Sequence, residues 1–484
     1  MTHTIKTPKW IFRRHTADFD KLCVVAESIK KYTNSSISNK DKDSIQRKLR
    51  EQGLYSERNP KMPLDSIDHK IRDLAFYMFG YRARVNEEKK FLFSPLGNLF
   101  LNNLDDKPKL TKIFFSMLWG MQFEHPESPT DRKFSIYPFR LIFKLLNNNK
   151  LKKRLFTHEI VYVLFFVESM EAEEEYLSIV DRILDLRCKS DQEIADIFEK
   201  DQHVLVNALY EWDYYSSKIL SSAGIVTRNE GKVICKLKHG TSTFRTLKKN
   251  YFEINTDLME LYHELNNNYS PFDTPMDRSE STRLRFDIDK EIYAFFPSEL
   301  LEHIGESSQN VHNIEELLAL PKLINQYSNN TDGEECYLFE DVLTDGFNMF
   351  YNVEAQKIGG AGNTDVECLF IRATDNKKFA VDAKSTKSKL TSINAGRLAA
   401  HRKKIGGEYT IVVPPRYVPA VKHDIVESQT VILLASTFSE YLYNCINSNI
   451  REIDYTPFDK IITENLGKDI SKQVSELTFK QFAA

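Results

Sequence analysis

The stretch that most limits how this chain can fold is GGAGNTDVECLFIRATDNKKFAVDAKST, residues 359–386. Residues 364–372 and 378–384 are rich in Val, Phe, Cys, Ile and Leu, and Thr374-Asp375-Asn376 between them is turn chemistry. That pattern predicts a β-hairpin. Asp365 opens the first strand and Asp382 closes the second, so the hairpin sets two carboxylates side by side at strand ends. Side chains alternate along a strand, which puts Asp382 and Lys384 on one face and turns Ala383 away. Two acids can hold a hard, oxygen-loving cation that also takes a phosphate oxygen, and a nearby lysine can orient water and offset charge. A solvated hairpin with ordinary surface charges is the competing reading.

The flanking sequence favours the first reading. Residues 337–350 predict a helix with Leu338, Phe339, Val342, Leu343, Phe347 and Phe350 on or near one face, and with Glu340 near its start. A short strand ends at Gly359-Gly360, and a helix over 391–404 follows the hairpin, stopped by Gly406-Gly407. Strand 409–413, a polar helix, strand 431–435 and helix 438–447 complete the segment. The resulting order, α-β-β-β-α-β-α-β, resembles the core of the PD-(D/E)xK nucleases, with Thr364 where a proline usually precedes the first acid.

At 484 residues the length predicts several domains. The net charge of −3 hides an asymmetry: residues 1–61 carry 14 Lys or Arg against 7 Asp or Glu. A basic block of this kind suits a polyanion partner, and a solvated basic face competes evenly. Six scattered cysteines lack metal-ligand or redox spacing and read as buried thiols of a reducing cytosol. No apolar run reaches membrane-spanning length, so the expectation is a cytoplasmic protein with no membrane partner.

The N-terminal half alternates helices with short β elements. Lys9-Trp10-Ile11-Phe12-Arg13-Arg14 interleaves aromatic and basic residues, as phosphate contact backed by stacking requires, although a core tryptophan flanked by charges is equally ordinary. A helix from Pro63, a wing through Tyr81-Arg82-Ala83-Arg84-Val85 and Phe91-Leu92-Phe93, and a helix capped by Ser94 at Pro95 together resemble a winged helix. A second such module spans 156–237. Its helix runs over 214–225, from Tyr214 through Lys218 to Gly224, and its wing turns at Asn229-Glu230-Gly231. Residues 240–330, with helical patterns near 251–265 and 314–327, read as a connector. The expected fold is multidomain α+β: a DNA-recognition domain with a winged helix (1–150), a second winged-helix-like domain (151–240), a helical connector (241–330), and a nuclease core on a mixed central sheet (331–484).

In order, these segments resemble the AlwI family of type IIS restriction endonucleases, which includes GAGTC-recognising and nicking enzymes. The blocks that carry the resemblance are the Lys9-Trp10 start, residues 92–103, residues 134–139, residues 214–226 and the Asp365/Asp382 hairpin. It implies that the front half reads a short asymmetric site while the back half cuts at a fixed distance with Mg²⁺, for which Mn²⁺ may substitute. Asp365 and Asp382 match metal-binding acids, Lys384 the motif lysine, and Glu340 an additional helix-borne ligand, unless it is merely an exposed glutamate. Arg397 and His401, one helical turn apart, are placed to face the scissile phosphate, with a solvated face the stronger reading for His401. Candidate DNA contacts are Trp10, Arg13, Arg14, Lys70, Arg72, Arg82, Arg84, Tyr214, Lys218 and Arg397. Expected partners are double-stranded DNA, a transient homodimer or second nuclease subunit for double-strand cleavage, and a cognate methyltransferase. A strand-specific nicking enzyme, the large subunit of a heterodimer, and a DNA-binding regulator with an inactive nuclease fold are the alternatives.

Overall fold

The computed structural model describes residues 9–32, 37–55, 65–85, 88–130, 132–240, 242–280, 285–305, 308–330, 335–360, 362–372, 375–448, 450 and 452–482. The chain packs as two units, Met1–Glu280 with Ile288–Ser307, and Ser281–Asp287 with Ser308–Ala483.

The first unit is mainly helical. Strands β1 (Gly80–Val85) and β2 (Glu88–Phe93) form an antiparallel hairpin that pairs Tyr81 with Leu92. Ser94 then caps the Pro95–Leu101 helix, its Oγ accepting from Gly97 N at 2.9 Å while donating to Met78 O at 2.7 Å. Gly97 permits this clamp, because a Cβ there would lie 1.9 Å from Phe79 O. Residues 9–14 thread into the core. Trp10 N bonds Phe165 O, its Nε1 bonds Val167 O, and the Phe12 ring meets Phe76, Phe123, Phe139, Phe165 and Trp212.

Three local expectations change in this unit. Residues 251–254, expected to be helical, form strand β7 (Tyr251–Ile254), because both of its edges are taken: by β3 (Leu155–Phe156) on one side and β4 (Val226–Asn229) on the other. The helix begins only at Met259, after a short 3₁₀ turn. The wing expected to turn at Asn229-Glu230-Gly231 runs on into β5 (Val233–His239), which pairs with β6 (Thr243–Lys248), and the chain reverses at Gly240 with φ +74°. Gly231 is a jog in this ribbon. Its N–H bonds Asn250 Oδ1 at 3.0 Å, and a Cβ there would strike Lys249 O. The helix expected over 214–225 is instead one π-helical turn, Trp212–Ser216, followed by the α-helix Ser217–Ser222.

The second unit is a layered α/β assembly. Its helix Cys336–Asn348 precedes β8 (Val353–Lys357), β9 (Val366–Phe370) and β10 (Lys377–Ala383). Helix Ala395–Ile405, β11 (Thr410–Val413), helix Val421–Asp424, β12 (Thr430–Ile432) and helix Ala435–Asn447 follow. The strand order is β12-β11-β10-β9-β8, antiparallel at β8–β9–β10 and parallel at β10–β11–β12, so the sheet is mixed. Every residue of β11 is buried, as expected of a central strand covered on both faces. An aromatic cluster of Phe347, Phe350, Phe379, Phe438, Tyr455 and Phe458 fills one core. Ile393, Leu398, Val412, Val421, Ile425 and Ile432 fill another. The helix after the hairpin starts four residues later than its periodicity suggested, because Asn394 caps it by accepting from Arg397 N. Gly406, at φ +70°, ends it. The sequence reading stopped before two further helices, Thr456–Glu464 and Ser471–Phe482.

Candidate active site

Asp365 sits where β8 closes on β9. Its carbonyl accepts from Ile358 N at 2.9 Å and Gly359 N at 3.2 Å, and Gly359, Gly360 and Gly362 take the positive φ that the intervening turn demands. Beside it, buried Thr364 donates its hydroxyl to Val381 O at 3.0 Å, pinning the strand end to β10. The Asp365 carboxylate accepts from Ala383 N at 2.7 Å. Asp382, 4% exposed, lies on β10 opposite Val412, and Lys384 N bonds Val413 O at 3.0 Å. Backbone bonds on both flanks therefore fix the two acids and the lysine.

The electrostatics follow from crowding. Burial, reinforced by the charge of Asp382, pushes the Asp365 carboxyl up to about 6, while Lys384 and the Ala383 N–H pull it back. Lys384 Nζ forms an ion pair with buried Asp382 Oδ2. Glu340 belongs to the same field, since its charge acts on Asp365 and that of Lys384 acts on it. Burial raises its carboxyl, opposed by Lys357, whose Nζ stands 3.6 Å from Oε2. With a side chain 15% exposed, Glu340 is not a solvated glutamate. Among the described residues, no three His, Cys, Asp or Glu side chains converge closely enough to hold a metal ion by themselves.

Two residues given little weight from sequence border this cluster. His401 feels the charges of Asp382 and Lys384, and its Nδ1 is buried without a hydrogen-bond partner. Lys404 Nζ donates to Gly362 O at 2.7 Å, tying the helix to the glycine turn beside Asp365. Their position one turn and two turns beyond Arg397 was the available signal. Arg397 itself is exposed on that helix.

The remaining expected DNA contacts lie in the first unit, and the structure scatters them. Trp10 has no exposed surface, leaving no face for a base. Arg13 pairs with Asp73 at 3.0 Å, Arg14 with Glu211 at 2.6 Å, and Arg82 grips Glu127 with two nitrogens. Lys70 is buried over the Tyr55 ring, and Arg72 is half-buried with its Nε lacking a partner. Tyr214 is half-buried and Lys218 exposed beside it. The Arg84 side chain lies outside the described residues.

Comparison with known proteins places the chain. A family model described as "Type II restriction endonuclease HgaI, N-terminal domain" matches residues 5–269. The type II restriction enzyme HgaI of Avibacterium volantium is 45% identical over 482 residues, covering 98% of this chain and 97% of that protein. This chain belongs to the HgaI family of type II restriction endonucleases. The narrower resemblance to the AlwI family finds no support in these matches. Structures of the restriction endonuclease FokI, alone and bound to DNA, align over 95% and 96% of this chain and 99% and 100% of theirs. Both alignments have 9% identity and a TM-score of 0.28, too low to support an argument. The HgaI-family match ends well before Asp365, so the reading of the paired acids rests on their geometry. No helix among the described residues is long and apolar enough to cross a membrane.

Proposed function

We propose that the chain is a type IIS-like restriction endonuclease that binds a short asymmetric DNA sequence and hydrolyses phosphodiester bonds at a fixed distance, using Mg²⁺ or Mn²⁺. The observation that carries this is the backbone-fixed set of Asp365, Asp382 and Lys384 at the end of β9 and β10, in a chain of the HgaI family. The nuclease unit is then a PD-(D/E)xK core, and the first unit carries recognition through winged-helix-type modules, since bases are read by groove-facing side chains while cutting needs only the backbone.

The acids suit a divalent cation. Asp382 is buried beside Lys384, and the Asp365 carboxyl is raised first by burial and then by the charge of Asp382, so a cation between the two acids relieves their repulsion. Asp365 and Asp382 would hold it, with the remaining sites left to water and phosphate oxygen, and Glu340 would become a further ligand only by moving closer than it stands here. Mg²⁺, when bound, supplies Lewis acidity toward the phosphate and lowers the pKa of coordinated water. Lys384 orients the attacking water and offsets charge on the phosphorane. As the water oxygen bonds to phosphorus, the P–O3′ bond breaks, leaving a 3′-hydroxyl and a 5′-phosphate.

One carboxylate set serves one strand. Double-strand cleavage therefore takes a transient homodimer or a second nuclease subunit, and a chain acting alone is a nicking enzyme. A host with such an activity must protect its own sites, which makes a cognate methyltransferase the expected partner. The test is incubation with supercoiled plasmid and Mg²⁺, followed by sequencing of every new end. Ends at a constant offset from one motif are expected, and one strand or both distinguishes nicking from double-strand cutting. Asp382→Ala should stop cleavage by a thousandfold or more, on the order of 4 kcal/mol of barrier, while sparing binding in Ca²⁺. A variant that still cuts sinks the site, and retained DNA binding without any cleavage by the native chain points to a silent nuclease fold.

A further inference from the structure

The π-helical turn Trp212–Ser216 interrupts a run of helix, a local strain that recurs at functional sites. Two buried carboxylates hold it in place. Glu211 accepts from Lys9 Nζ at 2.7 Å, Phe12 N at 3.1 Å and Arg14 at 2.6 Å. Asp213 accepts from Thr157 Oγ1 at 3.2 Å, Asn250 Nδ2 at 3.0 Å and Arg228 at 3.2 Å. Just after these anchors the turn presents half-buried Tyr214 and Tyr215, whose rings meet Tyr210 at 5.5 and 5.3 Å.

Cations cover this aromatic face. The Arg245 guanidinium, from β6, lies 4.1 Å over Tyr210 and 5.3 Å from Tyr214, with Arg14 and Lys218 further out. Among the described residues neither Arg245 nor Lys218 has an ion-pair partner, and Arg245 Nε is buried without a hydrogen-bond partner. Unlike Arg13, Arg14 or Arg82, Arg245 and Lys218 are not spent on internal carboxylates, so they are available to an anion from outside.

We propose that Tyr210, Tyr214, Tyr215, Arg245 and Lys218 form a phosphate-and-sugar contact surface for duplex DNA. The proposal rests on the endonuclease reading and deepens it. The cations meet phosphate oxygens, the tyrosine hydroxyls donate to the same oxygens, and the rings pack on deoxyribose. Such contacts fix position without reading bases, so their loss weakens every duplex alike.

The full chain in EDTA is titrated, by fluorescence anisotropy across a salt series, with a labelled duplex carrying the mapped cleavage site and with a scrambled duplex. Arg245→Gln and exposed Lys218→Gln should each weaken both duplexes to the same extent and lower the salt slope by about 0.9. Tyr215→Phe keeps the ring and should weaken both without changing the slope. Melting temperature is measured alongside, because a merely structural role would lower it and leave the slope intact. An unchanged slope in the Arg245→Gln, Lys218→Gln double variant overturns the proposal, as does a loss confined to the cleavage-site duplex. A native chain that binds neither duplex defeats the endonuclease reading itself.

Discussion

Asp365 sets the proposed active site against stability, and the size of the conflict follows from its burial. Its carboxyl is raised from 3.8 to about 6, first by burial and then by Asp382. A carboxyl with a higher value in the native state than in the unfolded chain makes the native state bind the extra proton. The resulting penalty is fully present above about pH 6, fades as pH falls between the two values, and is absent below about 4. Two units at roughly 1.36 kcal/mol each give roughly 3 kcal/mol at neutral pH, and residual contact with water trims this to about 2–3 kcal/mol. Asp365→Asn removes the charge while keeping an acceptor for Ala383 N. At pH 7.5 in EDTA, the nuclease unit of the variant should therefore melt roughly 4–10 °C higher than the native one, and cleavage should be lost. Near pH 4 the gain should vanish. With Mg²⁺ the native chain should gain stability and the variant should not. A variant that melts no higher at pH 7.5, or gains equally at both pH values, refutes the argument.

Other substitutions test neighbouring claims. Lys384→Ala should cut the cleavage rate by roughly 10²–10³-fold while leaving DNA affinity in EDTA near native, as read by single-turnover cleavage and anisotropy. Gly97→Ala drives a methyl into Phe79 O, so the first unit should lose about 3 kcal/mol or more in urea denaturation while the second keeps its transition. Glu211→Ala strands Lys9, Arg14 and the Phe12 N–H in a buried site and should cost about 3–5 kcal/mol by the same measurement.

What the sequence made legible depended on how far each residue reaches. The acids were readable because a hairpin with two-residue alternation fixes Asp365 and Asp382 relative to each other within 17 positions. Ser94 was readable because capping is a three-residue affair. The basic N-terminus was misleading, since the acids that absorb Arg13 and Arg14 lie 60 and 197 positions away. The turn at Asn229-Glu230-Gly231 failed for a similar reason: Asn250, 19 positions on, decides what Gly231 does. Tyr251–Ile254 became a strand only because β3 and β4 were waiting for its edges. Tyr214 was visible as a helical residue, but neither the π turn nor Arg245 above it leaves a local signature.

The burial of residues 9–14 has a consequence for how the protein is made. Trp10 and Phe12 leave the ribosome well before Phe165 and Trp212, which cover them. At typical bacterial elongation rates the gap to Trp212 is roughly 10–40 s. During that interval two large aromatic rings and their flanking cations have no native partners, and the front of the chain must be kept from aggregating by solvent exposure of its charges or by a chaperone. Synthesis stalled before Glu211 would yield a polypeptide with residues 9–14 unplaced and open to proteases.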